Sequence, residues 1–116
     1  MSNHLKIGNR GEWLAGKWLE KKGYIIVARN WRYKHLEIDL IANYNNMLHF
    51  IEVKTRSSNK YGGPELSVNW KKMLRLKRAA NYYLLANPGN AWIQFDIVAI
   101  TMHASKPPTL ELFADI

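Results

Sequence analysis

The chain has 116 residues, the usual size of one domain with a single core. Hydrophobic residues make up 47%, which excludes wholesale disorder, and no apolar run approaches the ~20 residues that a membrane span needs. Lys and Arg number 17 against 9 Asp and Glu, and the resulting net charge of +8 favours a polyanionic partner, nucleic acid before anionic lipid.

The chain starts Met-Ser-Asn-His-Leu-Lys-Ile-Gly, without the apolar core of a signal peptide. There is no cysteine, so disulfides and thiolate metal sites are absent, and a cytoplasmic location is expected. Residues 8–22 read as a first helix, with Gly11, Leu14, Ala15, Trp18 and Leu19 on an apolar stripe. Lys21 and Lys22 suit its C-terminal dipole, and Gly23 suits its stop. Glu12 falls in the first turn of that span, where it serves either as dipole compensation or as an acidic member of a site. Tyr24 to Trp31 follows as a strand, expected to be buried on both faces at its start. Arg29, Arg32 and Lys34 make a basic edge beside the hairpin that follows.

Residues 36–55 form the most informative stretch. Two apolar-rich runs flank Asn43-Tyr44-Asn45-Asn46, the pattern of a β-hairpin. Alternation places Glu37, Asp39 and Ile41 on one face of the first strand and Leu36, Ile38 and Leu40 on the other. In the second strand Phe50, Glu52 and Lys54 share a face. With Asn45-Asn46 as a two-residue turn, Asp39 comes opposite Glu52, and Glu37 opposite Lys54. Opposed carboxylates repel unless a proton, a lysine or a divalent cation neutralises them. Asp, a turn and Glu-x-Lys therefore suit a metal-dependent phosphodiesterase: carboxylates hold the cation, and the lysine orients a nucleophile or steadies phosphoryl charge. The same residues also suit an ordinary solvated hairpin face.

Thr55 to Leu66 is polar and Gly/Pro-rich, as expected of a mobile loop placed to clamp a substrate or simply to connect. A second helix is expected from about Val68 to Ala86, capped by Ser67 and stopped by Asn87-Pro88-Gly89. Met73, Leu76, Ala80 and Tyr83 line one side of it, and Lys71, Arg75, Arg78 and Tyr82 the other. The basic stripe suits either a phosphate backbone or solvent. Residues 91–101 form a further strand, and Lys106-Pro107-Pro108 precedes a short edge strand at Thr109 to Phe113. Most of the 5 Trp and 6 Tyr belong to the core, with a minority available for base stacking. The order αβββαβ, with an extra final strand, implies an α/β fold with a mixed central sheet flanked by helices.

That order, with Asp39 and Glu52-Val53-Lys54 on adjacent strands, resembles the restriction-endonuclease-like core and its PD-(D/E)xK signature. The chain is most similar to the YraN-like family of small bacterial predicted endonucleases, themselves similar to archaeal Holliday-junction resolvases. The resemblance runs through Gly11-Glu12, Arg29-Asn30-Trp31-Arg32, Glu37-Ile38-Asp39-Leu40-Ile41-Ala42 and Glu52-Val53-Lys54-Thr55-Arg56. It continues in Gly62, Pro64, Lys71 or Lys72, Arg75-Leu76, Ala79 and Phe95-Asp96-Ile97-Val98-Ala99-Ile100. It implies Mg²⁺ or Mn²⁺ at Asp39, Glu52 and Val53, a catalytic Lys54, and Glu12 completing the site. It departs from the family at Leu36, where a glycine is usual, and at Gln94, where an arginine is usual. The expected activity is hydrolysis of DNA, branched or damaged DNA included, with Arg29, Arg32, Arg56, Lys71 and Arg75 holding phosphates. Analogy with resolvases extends the expectation to a homodimer. Competing readings are a non-catalytic nucleic-acid-binding module on the same fold and a protein-interaction domain with an acidic partner.

Overall fold

A computed structural model describes residues 3–57, 70–89 and 92–116, with side chains from residue 10 onward. The elements are α1 (Asn3–Lys21), β1 (Ile25–Tyr33), β2 (Leu36–Tyr44), β3 (Met47–Ser57), α2 (Trp70–Ala86), β4 (Ile93–Met102) and β5 (Thr109–Phe113). The five strands form one sheet in the order β1-β2-β3-β4-β5. Neighbours are antiparallel except β3 and β4, which run parallel. This mixed sheet with two helices is the expected α/β architecture and is compatible with a restriction-endonuclease-like core. Among the described residues no helix is long and apolar enough to cross a membrane.

The helices cover opposite faces. Ala15 and Leu19 of α1 pack with Leu40, Ala42, Ile51, Val98 and Ile100, while Leu76, Ala79, Ala80 and Tyr83 of α2 pack with Leu36, Ile38, Ile41, Leu48 and Phe50. Both stripes follow the helical spacing seen in the sequence. Gly23 ends α1 at φ 101°, and the Tyr24 amide donates back to the Leu19 carbonyl at 3.1 Å. Asn45 and Asn46 have φ of 53° and 60°, the left-handed pair that a tight two-residue hairpin turn requires. The register of β2 on β3 is the expected one, from Tyr44–Met47 to Leu40–Ile51.

Several expectations change. Helix α1 begins at Asn3, so Glu12 lies well inside it and cannot be compensating the dipole of a first turn. β1 is not buried on both faces: it is an outer strand, with Ile25 68% and Val27 43% exposed. Thr55, Arg56 and Ser57 continue β3, pairing with Ile100, Thr101 and Met102, because β4 extends alongside them. Ser67 and Val68, the expected start of the second helix, lie outside the described residues, as does most of the 55–66 segment. Tyr82 is not on a solvated stripe but packs towards the α2 core and stacks on Tyr33.

Strict alternation also fails in β2. Ile38 and Ile41 both pack on the α2 side, whereas Leu40 and Ala42 pack on the α1 side. The phase therefore slips at Asp39-Leu40. β1 slips with it: Asn30, level with Asp39, takes a left-handed φ of 51°, and Ala28 and Trp31 both end up on the α2 side.

Candidate active site

Where β2 changes phase, it also leaves β3. Pairing stops at Leu40–Ile51, and the next amide on β3 that would bond across, Val53 N–H, donates to the Asp39 carboxylate at 2.8 Å. Asp39 is thus not directly opposed to Glu52 in a flat ladder, as the sequence register implied. It fills the fork between the two strands.

Glu12 comes to this fork from α1. Gly11 makes the approach feasible: a Cβ added there would lie 2.5 Å from Thr55 Oγ1, so only a residue without a side chain lets the helix settle so close to β3. Oxygens of Glu12, Glu37 and Asp39 lie within 4.8 Å of one another. Glu12 interacts with the Asn30 side chain and with the Asp39 carboxyl, yet its buried Oε2 has no hydrogen-bond partner. Glu37 is held from outside by Arg32 at 3.4 Å.

On the α2 side, Glu37, Asp39 and Glu52 open into a cavity of about 320 Å³ whose far wall is Lys72, Arg75 and Leu76, with His35 and Leu36 at the end. Lys72 Nζ is 4.0 Å from Glu52 Oε1. Lys54, the expected catalytic lysine, lies two residues beyond Glu52 at the same phase of β3 and is half-buried, but it does not line the cavity.

Of the expected phosphate-holding residues, Arg75 lines the cavity and Arg32 reaches it through Glu37. Arg29 instead turns to α1, where it packs over Gly16 and pairs with Glu20 at 3.5 Å. Arg56 and Lys71 do not line the cavity. Glu37, Asn30 and Lys72 are the additions. Glu37 is two residues from Asp39, a spacing that could have identified it. The resemblance offers Lys72 only as an alternative to Lys71, and it includes Asn30 without any local pattern that marks its left-handed backbone.

The electrostatics match this crowding. The Asp39 carboxyl is raised to about 7, chiefly by burial and also by the charges of Glu12, Glu37 and Glu52, against the lowering effect of the Val53 amide. Glu12 is raised as well, first by burial and then by Glu37, against the lowering effects of Asn30, Asp39 and Arg32. Because the Asp39 carboxyl titrates near 3.8 when unfolded and about 7 when folded, the folded chain binds more protons between those values. The stability that this group contributes is present in full below pH ~4 and is lost as the pH rises through ~7. In EDTA, thermal stability of the wild type relative to Asp39→Asn should therefore fall across that window. A flat or rising difference would mean that Asp39 is not held protonated.

This donor set fits a hard divalent cation. The converging oxygens of Glu12, Glu37 and Asp39 are all carboxylate, one of them buried with no partner, and the charges of Glu12, Glu37 and Glu52 raise the proton affinity of Asp39.

Relatives carry the same kind of chain at nearly full length. A UPF0102 protein of Flavobacterium psychrophilum is 42% identical over 100 residues, covering 86% of this chain and 84% of its own. One from Cytophaga hutchinsonii is 45% identical over 98 residues, covering 84% and 87%. One from Rhodococcus jostii is 38% identical over 117 residues, covering 99% and 98%. A family model described as "Uncharacterised protein family UPF0102" matches residues 11–100, from the glycine before Glu12 to the end of the β4 core, and the chain belongs to that family.

Proposed function

We propose that the protein is a nuclease that hydrolyses DNA phosphodiester bonds with Mg²⁺ or Mn²⁺. The observation that carries the reading is the fork between β2 and β3, where Asp39, Glu37 and Glu12 converge and Glu52 shares a cavity with Lys72 and Arg75. Asp39 and Glu52, with a main-chain oxygen of Val53, would hold the cation, and Glu12 and Glu37 would supply further oxygens to it or to its water. A divalent cation there contributes Lewis acidity towards the phosphate and neutralises the carboxylates. Asp39 is fixed for this by the Val53 amide, which prevents its carboxylate from swinging out of the fork. Lys72 holds Glu52 from the helix side, and Arg75 faces the space where a phosphate would sit. Lys54 steadies the charge that develops on the phosphoryl oxygens.

The test is a panel of single-stranded, duplex, flap and four-way-junction DNA incubated with each metal and with EDTA. Cleavage that needs the cation supports the reading, and none with either metal on any substrate rejects it. A non-catalytic DNA-binding module is the second reading, favoured by the net charge of +8. Both readings assign Arg75 to a phosphate. Changing it to Ala should reduce the log–log salt dependence of DNA binding by about one unit. An unchanged slope would assign that helix face to solvent.

A further inference from the structure

One end of the cavity leads to a surface that hydrolysis alone does not require. Tyr33 ends β1, pairs with the cavity residue Leu36, and remains 39% exposed. Its ring is stacked on Tyr82 of α2 with centroids 4.4 Å apart and planes 27° apart. Trp31 lies parallel to it at 6.4 Å and is anchored edge-on to Tyr83, a core residue. Lys34 holds its ammonium 5.5 Å from the centre of the Tyr33 ring. Rigid aromatic rings of this kind have low conformational freedom left to lose on binding. That ammonium lies over the ring in the unbound chain, and it would move to the nucleotide's phosphate as a base takes the face.

The path from ring to site is continuous and basic. Arg75 lines the cavity, Arg78 is exposed one turn further along α2, and Tyr82 follows one turn after that. Arg75 and Tyr82 are two turns apart, about 10 Å along the helix. Arg32 and Lys34 continue the positive charge on the hairpin side, with the Arg32 side chain 70% exposed.

We propose that Tyr33, backed by Tyr82, is a stacking platform for one unpaired DNA base next to the phosphate held in the cavity. The substrate class is then DNA with an unpaired nucleotide beside a duplex, as in a tail or flap; this rests on the nuclease reading. A paired base inside a duplex is already stacked on its neighbours and has no free face to offer, whereas an unpaired one of any identity does.

The test uses the full chain in EDTA with two DNAs, each carrying a fluorescent adenine analogue whose emission falls on stacking. In one, the analogue is the first unpaired base of a tail of either polarity; in the other, it is within a fully paired duplex. Binding of the wild type should quench the tailed probe and leave the paired one unchanged. Tyr33→Leu should abolish the quenching and weaken binding of tailed DNA by about tenfold, with duplex binding unchanged. Tyr33→Phe, which keeps the ring, should behave as wild type. Absence of quenching by the wild type, or equal quenching by wild type and Tyr33→Leu, would overturn the platform and leave these rings as packing between α2 and β1. Cleavage separates the two ideas. Quenching without cleavage in any metal removes the nuclease and keeps the platform, whereas metal-dependent cleavage without quenching does the reverse.

Discussion

Glu52→Gln is expected to reduce metal-dependent cleavage by orders of magnitude while leaving DNA binding in EDTA unchanged or tighter. The amide keeps the size and shape of the carboxylate but is a far poorer Mg²⁺ ligand. Without metal, the wild-type carboxylate repels a phosphate a few Å away by about 1–4 kcal/mol, depending on intervening water. Glu52 also occupies Lys72, whose ammonium is 4.0 Å from it. Removing the charge both relieves the repulsion and frees a lysine for the phosphate, so both effects on binding have the same sign. A folding defect would instead lower binding and cleavage together. Loss of both in a variant that melts normally would remove the metal role from Glu52, and normal cleavage would reject the mechanism.

The largest effect on stability is expected at Asp96. This residue is fully buried, and its carboxylate accepts from His49 Nδ1 at 2.7 Å, Gln94 Nε2 at 2.8 Å and the Asp115 amide at 2.9 Å. These contacts tie β3, β4 and the C-terminal segment together. Asp96→Ala leaves a 4% exposed histidine and a main-chain amide without their acceptor. A loss of about 3–5 kcal/mol is expected, comparable to breaking a buried ion pair. For a domain of this size that corresponds to a fall of roughly 10–20 °C in Tm. Asp96→Asn keeps one oxygen for Gln94 and Asp115, and the imidazole can change tautomer to accept from the amide, so its loss should be smaller. Equal losses for Ala and Asn, measured by thermal unfolding, would show that the charge rather than the hydrogen-bond geometry matters.

Much of this architecture was legible in the residues. Periodicities of 3.6 and 2 located the elements, and Asn45-Asn46 determined the hairpin register, since two adjacent residues with positive φ suit a narrow set of turns. What escaped was any feature that depends on a partner distant in sequence. The phase slip at Asp39 depends on Asn30 in the neighbouring strand, and no local pattern announces a left-handed asparagine. From spacing alone Glu12 suits a dipole role as well as a site role, because the pattern starts the helix at residue 8 rather than at Asn3, and only the resemblance assigns it to the site. β1 looked doubly buried because composition does not reveal that a strand will be outermost. Lys72, adjacent to the stripe of Lys71 and Arg75, faces Glu52 only because of how α2 rolls onto the sheet.

The outer position of β1 has a consequence for self-association. An outermost strand with exposed Ile25 and Val27 offers unpaired main-chain groups beside apolar surface, a template for aggregation. This strand is poorly suited to it. Its register shifts between Ile26 and Ala28, Asn30 twists it out of extended geometry, and Arg29 and Arg32, with Lys34 just past its end, place like charges along its second half. Two copies meeting edge to edge would juxtapose those cations and find no straight run of amides long enough to zip. The irregularity that opens the fork for Asp39 thus also makes this edge a poor template for growth of the sheet.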